Sequence, residues 1–231
     1  VKENKTPKEL ILETLKEKSS AKQDVFYQTI AVFELLKEVL AELAAEYSNE
    51  VKTFDKRLIV EYSDKGEFQA ELRVAGDILI FLMHTNVFDF DRSHQIWKTS
   101  YVNDDNTRAL CGNISIYNFL TDSFKYNRLN DLGYLIGRLY LNRELHYFVE
   151  GKRQLGFLYN DFVNNILDKK ALRSVVESSI LYTLSFDLYA PPYDQVKTVS
   201  VAEILEINSN YKIKTGKRLG FKFQADFDDI V

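Results

Sequence analysis

Two of the chain's three histidines and two aspartates fall within one short stretch, His84-Thr85-Asn86-Val87-Phe88-Asp89-Phe90-Asp91-Arg92-Ser93-His94. Imidazole and carboxylate together can hold a divalent metal or pass a proton in hydrolysis. Both uses require the groups to converge. The apolar run Ile78 to Met83 precedes the stretch and continues into it as a strand. Side chains on a strand alternate between faces. His84 then shares a face with Asn86, Phe88 and Phe90, whereas Asp89 and Asp91 share the other with Thr85 and Val87. Only a bulge would bring the histidine to the aspartates. The reading adopted is a strand leaving the core, a polar turn at Asp91-Arg92-Ser93, and Trp97 returning to the core. No metal and no cofactor are expected from it.

Asp-x-Asp after an apolar strand resembles the opening of the haloacid dehalogenase-type phosphatases. In that family the aspartates cap a parallel strand of a doubly wound sheet. The pattern around Asp89 and Asp91 is a meander, and the resemblance is set aside.

The third histidine, His146, lies in a run from Glu144 to Glu150 that reads as a strand. A two-residue turn at Asn142-Arg143 would pair Leu139 with His146 and Leu141 with Glu144. A second turn at Gly151-Lys152 would set Phe157 on the other side of His146. His146 with Glu144 then reads either as a proton-transfer pair or as a histidine satisfied within a half-buried sheet. The same register places Arg138 on the opposite face, across from Tyr147, with Ile136, Tyr140, Leu145 and Leu158 around it. No acidic residue falls on that face, and a guanidinium among apolar groups needs a counter-charge. Arg138, with Tyr147, is therefore the candidate for holding a ligand carboxylate or phosphate. An internal salt bridge, or stacking on Tyr147, is the competing reading. The candidate ligand-binding residues are Arg138, Tyr147, His146 and Glu144; no catalytic set is assigned.

Other motifs carry less. Cys111 lacks a visible base and reads as a small core residue. Gly133-x-x-x-Gly137 has the wrong spacing for a phosphate loop and precedes a strand. Pro191-Pro192-Tyr193 reads as a helix stop. Lys212, Lys214, Lys217, Arg218 and Lys222 interleave with Tyr211, Phe221 and Phe223. Such a mixture suits single-stranded nucleic acid or, more commonly, a charged edge strand.

The elements that must position these residues follow from periodicity. Thr6-Pro7-Lys8-Glu9 is a helix start with a capping box and proline in the first turn. Ser20-Ala21-Lys22-Gln23 reads as a second start. From Val25 to Tyr47 apolar residues recur every three or four positions, predicting a helix that ends near Ser48 and covers the protein's own sheet. Lys22, Glu34, Lys37, Glu38, Glu42 and Glu46 take the opposite side. A homodimer seam along 22–47 is the alternative use of the stripe. Strands are predicted at 57–62 and 67–74 around the turn Ser63-Asp64-Lys65-Gly66, then at 78–83, 110–119, 134–141, 144–150 and 153–159. A helix is predicted over 171–189, stopped by Pro191 and Pro192. Ser200-Val201-Ala202-Glu203 caps a short helix, Lys212 to Phe223 reads as a hairpin, and Asp226 to Asp229 as a frayed acidic end.

The fold class is α+β: one domain over 1–231, helical through 1–48, an antiparallel meander over 52–159, and a helix plus irregular chain over 160–231. The order helix, meander, helix resembles GAF-like sensor modules in architecture, and no motif carries the likeness further.

Composition sets the outer bounds. The chain has 231 residues, 30 Lys and Arg, 34 Asp and Glu, and a formal net charge of −4. That balance argues against a general nucleic-acid binder, which needs a cationic surface. One cysteine excludes an intrachain disulfide and a multi-thiolate zinc site, and fits a cytoplasmic setting. The longest apolar run is too short to span a bilayer, so no membrane partner is expected. The function expected is a cytosolic, non-catalytic module that binds an unknown small molecule or protein, with an anionic-ligand pocket. The alternative is a hydrolase or lyase using the Asp and His residues of 84–94 or 144–146.

Overall fold

The computed structural model describes residues 5–151, 154–187, 189–202 and 204–205. The first helix, α1 (Pro7–Thr14), begins with the predicted capping box: the Thr6 hydroxyl accepts from the Glu9 N–H, and the Glu9 carboxylate accepts from the Thr6 N–H. It does not stop at Ser20. A π-helical turn, Leu15–Ser19, joins it without a break to α2 (Ser20–Phe54). Ser19 makes no side-chain cap, and the Ser20 hydroxyl donates back to the Leu15 carbonyl. The second predicted start is therefore a wide turn inside one helix, and the helix runs past Ser48 to Phe54.

Six strands follow in meander order: β1 (Val60–Asp64), β2 (Gln69–Val74), β3 (Asp77–Phe88), β4 (Cys111–Leu120), β5 (Tyr134–Leu141) and β6 (Tyr147–Gly151). Each is antiparallel to its sequence neighbour, and two short helices, α3 (Ser100–Asp104) and α4 (Thr121–Lys125), flank β4 in the chain. The first hairpin turns two residues later than expected, with Gly66 at φ 112° and its N–H held by the Asp64 carboxylate. Ala70, Leu72 and Val74 of β2 face inward as their alternation predicts.

The inner face of the sheet is covered by α2 and by α6 (Lys169–Leu184). Val32, Phe33, Leu36, Leu40 and Leu43 of α2 pack with Leu72, Phe81, Ile114, Leu139 and Val149, and Val25 packs apart from them with Ala21 and Leu110. Leu36 is 2% exposed, so the 22–47 stripe is spent on the protein's own sheet and is not available as a dimer seam. The helices are also laced together at their rims: Arg173 bonds Glu46, Lys169 bonds Glu42, and the Tyr47 hydroxyl donates to Glu177. Lys37, expected on the solvent side, is buried: its ammonium lies over the Phe33 ring and reaches Glu34 and Asp64. Where α2 crosses β4 the approach is close enough that only glycine fits. A methyl group at Gly112 would overlap the buried Thr29 side chain.

The predicted strand 153–159 is instead a short helix, α5 (Gln154–Leu158). Its neighbour 159–166 lies along the outer edge of β6, with Val149 N–H bonded to Tyr159 and Tyr147 N–H to Asn165. The α6 helix starts at an Asp168 cap and ends at Leu184, several residues short of the predicted 189. Tyr193–Val196 forms a single helical turn, α7, after the two prolines. Residues 201, 202, 204 and 205 are helical, in keeping with a start at Ser200. The predicted hairpin 212–223 and the acidic end 226–229 lie outside the described residues. No helix among the described residues is long and apolar enough to cross a membrane.

Candidate functional site

The 84–94 stretch spends its polar groups on its own backbone. His84 Nδ1 accepts from the Asn86 N–H at 3.0 Å. Asp89 accepts from the Phe90 N–H, and Asp91 from both the N–H and the hydroxyl of Ser93. His94 Nδ1 accepts from the Ile96 N–H at 3.3 Å and caps the 3-10 turn Gln95–Lys98. The neutral His94 ring therefore carries its proton on Nε2. Trp97 returns as expected, its indole N–H donating to the Phe90 carbonyl under the Arg92 guanidinium. A bulge does occur here, since Thr85, Asn86 and Val87 together face only Gly112. It does not gather ligands: no group of three or more His, Cys, Asp or Glu that could hold a metal occurs among the described residues.

The four residues chosen from the sequence divide into two pairs. The β5–β6 register is Leu139 to Val149 and Leu141 to Tyr147, three residues away from the predicted one. An odd shift reassigns every face. Tyr147 is consequently an inner-core residue beside Leu141. Arg138 pairs across the strands with Glu150, and the two form a salt bridge. The counter-charge whose absence singled out Arg138 is thus present, at a position the predicted register put on the other face.

Glu144 and His146 do come together, around a residue the sequence gave no reason to choose. Tyr101 lies in α3 (Ser100–Asp104); its hydroxyl donates to Glu144 at 2.8 Å and accepts from the Asn142 amide at 3.0 Å. The His146 ring stacks on Tyr101 with centroids 4.2 Å apart. His146 Nδ1 donates to the Phe162 carbonyl at 3.0 Å, which leaves Nε2 as the accepting nitrogen of the neutral ring. Arg108 donates to Glu144 and to the Tyr101 carbonyl. Burial, aided by the Glu144 hydrogen bond, pushes the Tyr101 phenol up to about 12. Burial alone would raise Glu144, but donation from Tyr101 and Arg108 holds its carboxyl below the usual range. Phe157, expected beside His146, is 84% exposed on α5.

Tyr101 also begins a layer of rings on the outer face of the sheet. Phe162 meets Tyr101 edge-on, Phe148 meets Phe162, Tyr140 stacks on Phe148, and Phe90 packs on both before stacking on His94. With Ile96, Val102, Ala109 and Cys111 these rings make a second small core. Burial drives the Cys111 thiol strongly upward, which removes it as a nucleophile.

A cleft with a volume of about 330 Å³ opens beside this layer. It exists because the chain that pairs with β6 at Tyr159 and Asn165 bulges outward between them. Asp161 shapes the bulge by accepting from the N–H and the amide of Asn164, and those bonds hold its carboxyl below the usual range. Phe148 and Phe162 line the cleft as buried rings, and His94, Gln95, Thr99, Glu150, Asn160 and Asp161 supply polar groups. Gly156 keeps α5 against the strand end, since a methyl there would run into the Gly151 carbonyl. The aromatic density of the sequence was a signal for such a layer. The loops that deliver Tyr101 and Phe162 have no periodicity from which to place them. No protein-family model, no curated protein and no solved structure matches the chain.

Proposed function

We propose that the protein is a binding module without catalysis of its own, and that the β6 cleft is its ligand seat. The observation that carries this reading is the make-up of the cleft: two buried rings beside a rim of hydrogen-bonding groups, in a volume at the lower end of the range for small-molecule sites. Its described polar groups are the Gln95 and Asn160 amides, the Thr99 hydroxyl and the His94 Nε2–H, with two carboxylates, Glu150, which also meets Arg138, and Asp161, which also accepts from Asn164. No lysine or arginine is among its described lining residues. The ligand class that fits is a small neutral or cationic molecule with a flat or aliphatic body and hydrogen-bond donors, rather than the anion that Arg138 suggested. Against catalysis by the two stretches that carry the histidines, their carboxylates are already hydrogen-bonded, Asp91 to Ser93 and Glu144 to Tyr101 and Arg108. The single, buried thiol suits a cytoplasmic setting.

The test is a fragment set of small amines, amides and carboxylic acids, read by amide chemical shifts. Amines and amides should move the resonances of Gly151, Gly156 and Val163, and Asn160→Ala, at an exposed position of the cleft rim, should weaken the effect without lowering the melting temperature much. Shifts produced only by the acids, or by no fragment at millimolar concentration, would sink the proposal.

A further inference from the structure

In an antiparallel pair of strands, alternate residues turn both N–H and C=O toward the neighbour, and the residues between turn both away. The Tyr147 and Val149 N–H groups bond to Asn165 and Tyr159, so Tyr147, Val149 and Gly151 are the β6 residues that face away from β5. Chain 159–166 thus answers two N–H groups of this outer edge. Among the described residues, nothing donates to the Val149 carbonyl and nothing accepts from the Gly151 N–H. The carbonyl of one strand residue and the N–H two residues on point the same way, so these two form an open acceptor–donor pair. The pair belongs to the cleft. Val149 and Gly151 both line it; the Val149 side chain lies in the inner core and Gly151 has none, so what each gives the cleft is its backbone. Phe148 and Phe162 stand beside them, with ring centroids 5.7 Å apart and planes at 86°. A flat body can lie on one ring and turn its edge to the other.

We propose that this backbone pair reads the ligand, and that the ligand is a planar cyclic amide carrying its N–H and carbonyl on one edge; the inference rests on the β6 cleft being the seat. The ligand N–H donates to the Val149 carbonyl, and the ligand carbonyl accepts from the Gly151 N–H. Val149 is 1% exposed, so a donor that fails to reach its carbonyl is poorly replaced by water. An amine satisfies only the Val149 half of the pair, and an N-alkylated amide only the Gly151 half. A carboxylate brings no donor and meets the carboxylates of Glu150 and Asp161 in the same cleft. An added peptide strand fits less well, because the next N–H groups along the edge are already taken by Tyr159 and Asn165. One pairing unit is open, not a ladder.

The test compares α-pyridone with N-methyl-α-pyridone on the isotopically labelled full chain. The two share ring and carbonyl, but only the first has the N–H. Titration with α-pyridone should move the Gly151 amide proton and the Val149 carbonyl carbon downfield together. At about ten times its dissociation constant it should slow solvent exchange of the Gly151 amide proton about tenfold. The N-methyl compound should bind about tenfold more weakly, the factor for one hydrogen bond lost at a shielded acceptor. Benzylamine, a donor without an acceptor, should leave Gly151 exchange unchanged. Equal binding of the two pyridones overturns the inference, as do shifts at Gly156 and Val163 with Gly151 exchange and the Val149 carbonyl untouched; in either case the cleft still stands as the seat. Silence from every fragment, amines and amides included, removes the seat and the inference together.

Discussion

Gly112→Ala is the substitution whose sign is most sharply set by the structure. Gly112 is a buried strand residue whose backbone is not in the left-handed region. Alanine there would ordinarily stabilise by about 0.4–1 kcal/mol, because it narrows the unfolded ensemble and fits a strand better than glycine. The packing of α2 reverses the expectation. The added carbon would overlap the Thr29 hydroxyl and lie 2.8 Å from both Cβ and Cγ2 of that residue. Ordinary carbon contacts are about 3.5–4.0 Å, so α2 would have to retreat by roughly 1 Å along its crossing of β4. Thr29 has no easy escape, because it is 1% exposed and its hydroxyl already donates to the Val25 carbonyl at 2.6 Å. Overpacking of this kind costs about 1–3 kcal/mol. After the opposing gain, a net loss of about 0.5–2 kcal/mol remains, or a melting temperature lower by roughly 1–8 °C for a chain of this size. Urea denaturation of four proteins measures it: wild type, Gly112→Ala, Thr29→Ala and the pair. In the Thr29→Ala background the Gly112→Ala penalty should shrink by about 1 kcal/mol or more, because the hydroxyl and the γ-methyl are gone. A Gly112→Ala protein more stable than wild type, or two penalties that simply add, would show that α2 does not press on β4 at this point.

Leu36→Asp should destabilise by at least about 3 kcal/mol, since it places an unpaired carboxylate between α2 and the sheet; a soluble variant of wild-type stability by urea titration would refute that packing. Asn118 is 1% exposed and neither polar atom of its amide has a partner among the described residues, so Asn118→Leu should raise stability by about 1–2 kcal/mol; a fall in melting temperature would mean that the amide is satisfied after all. Asp105, Glu144 and Asp161 all have carboxyl groups depressed by hydrogen bonds, so their contribution is complete above the unfolded-state values near 4 and is lost as pH falls through the lower folded-state values. Stability should accordingly be flat with respect to these groups from about pH 5 upward and decline below about pH 4, and Glu144→Gln should make that decline shallower; an unchanged acid limb would refute the Tyr101–Glu144–Arg108 network.

Much of the architecture was legible because burial was one-sided. The β2 strand alternates since one face meets α2 and the other meets water. The long helix announces itself by a stripe that repeats every three or four residues, and Thr6-Pro7-Lys8-Glu9 marks its start through side chains that cap locally. The meander follows from turns too short for a crossover. Boundaries went wrong where local signals agree with more than one structure. Ser20-Ala21-Lys22-Gln23 has the composition of a cap, but a π-helical turn satisfies the backbone without one. Residues 153–159 read as a strand after the Gly151-Lys152 turn, but Gly156, with no side chain to separate backbones, lets a short helix fold against β6.

The candidate site was lost at a single turn. Asn142-Arg143 invites a two-residue hairpin, but the chain uses the longer connection Asn142 to His146, with Leu145 at φ 64°. That conformation is unfavourable for a leucine and has no sequence signature. It is held from outside: the Asn142 side-chain carbonyl accepts from the Glu144 and His146 N–H groups, while its amide reaches Tyr101 and the Arg108 carbonyl. Distant chain therefore sets the length of the turn. Turn length sets the register, and an odd change in register exchanges the faces of the whole strand. Arg138 then acquires Glu150, Tyr147 enters the core, and Phe148 passes to the outer face, where it joins Phe162 in lining the cleft. Every residue singled out on β5 and β6 depended on that one turn, and the information that fixes it lies some forty residues upstream, at Tyr101 and Arg108.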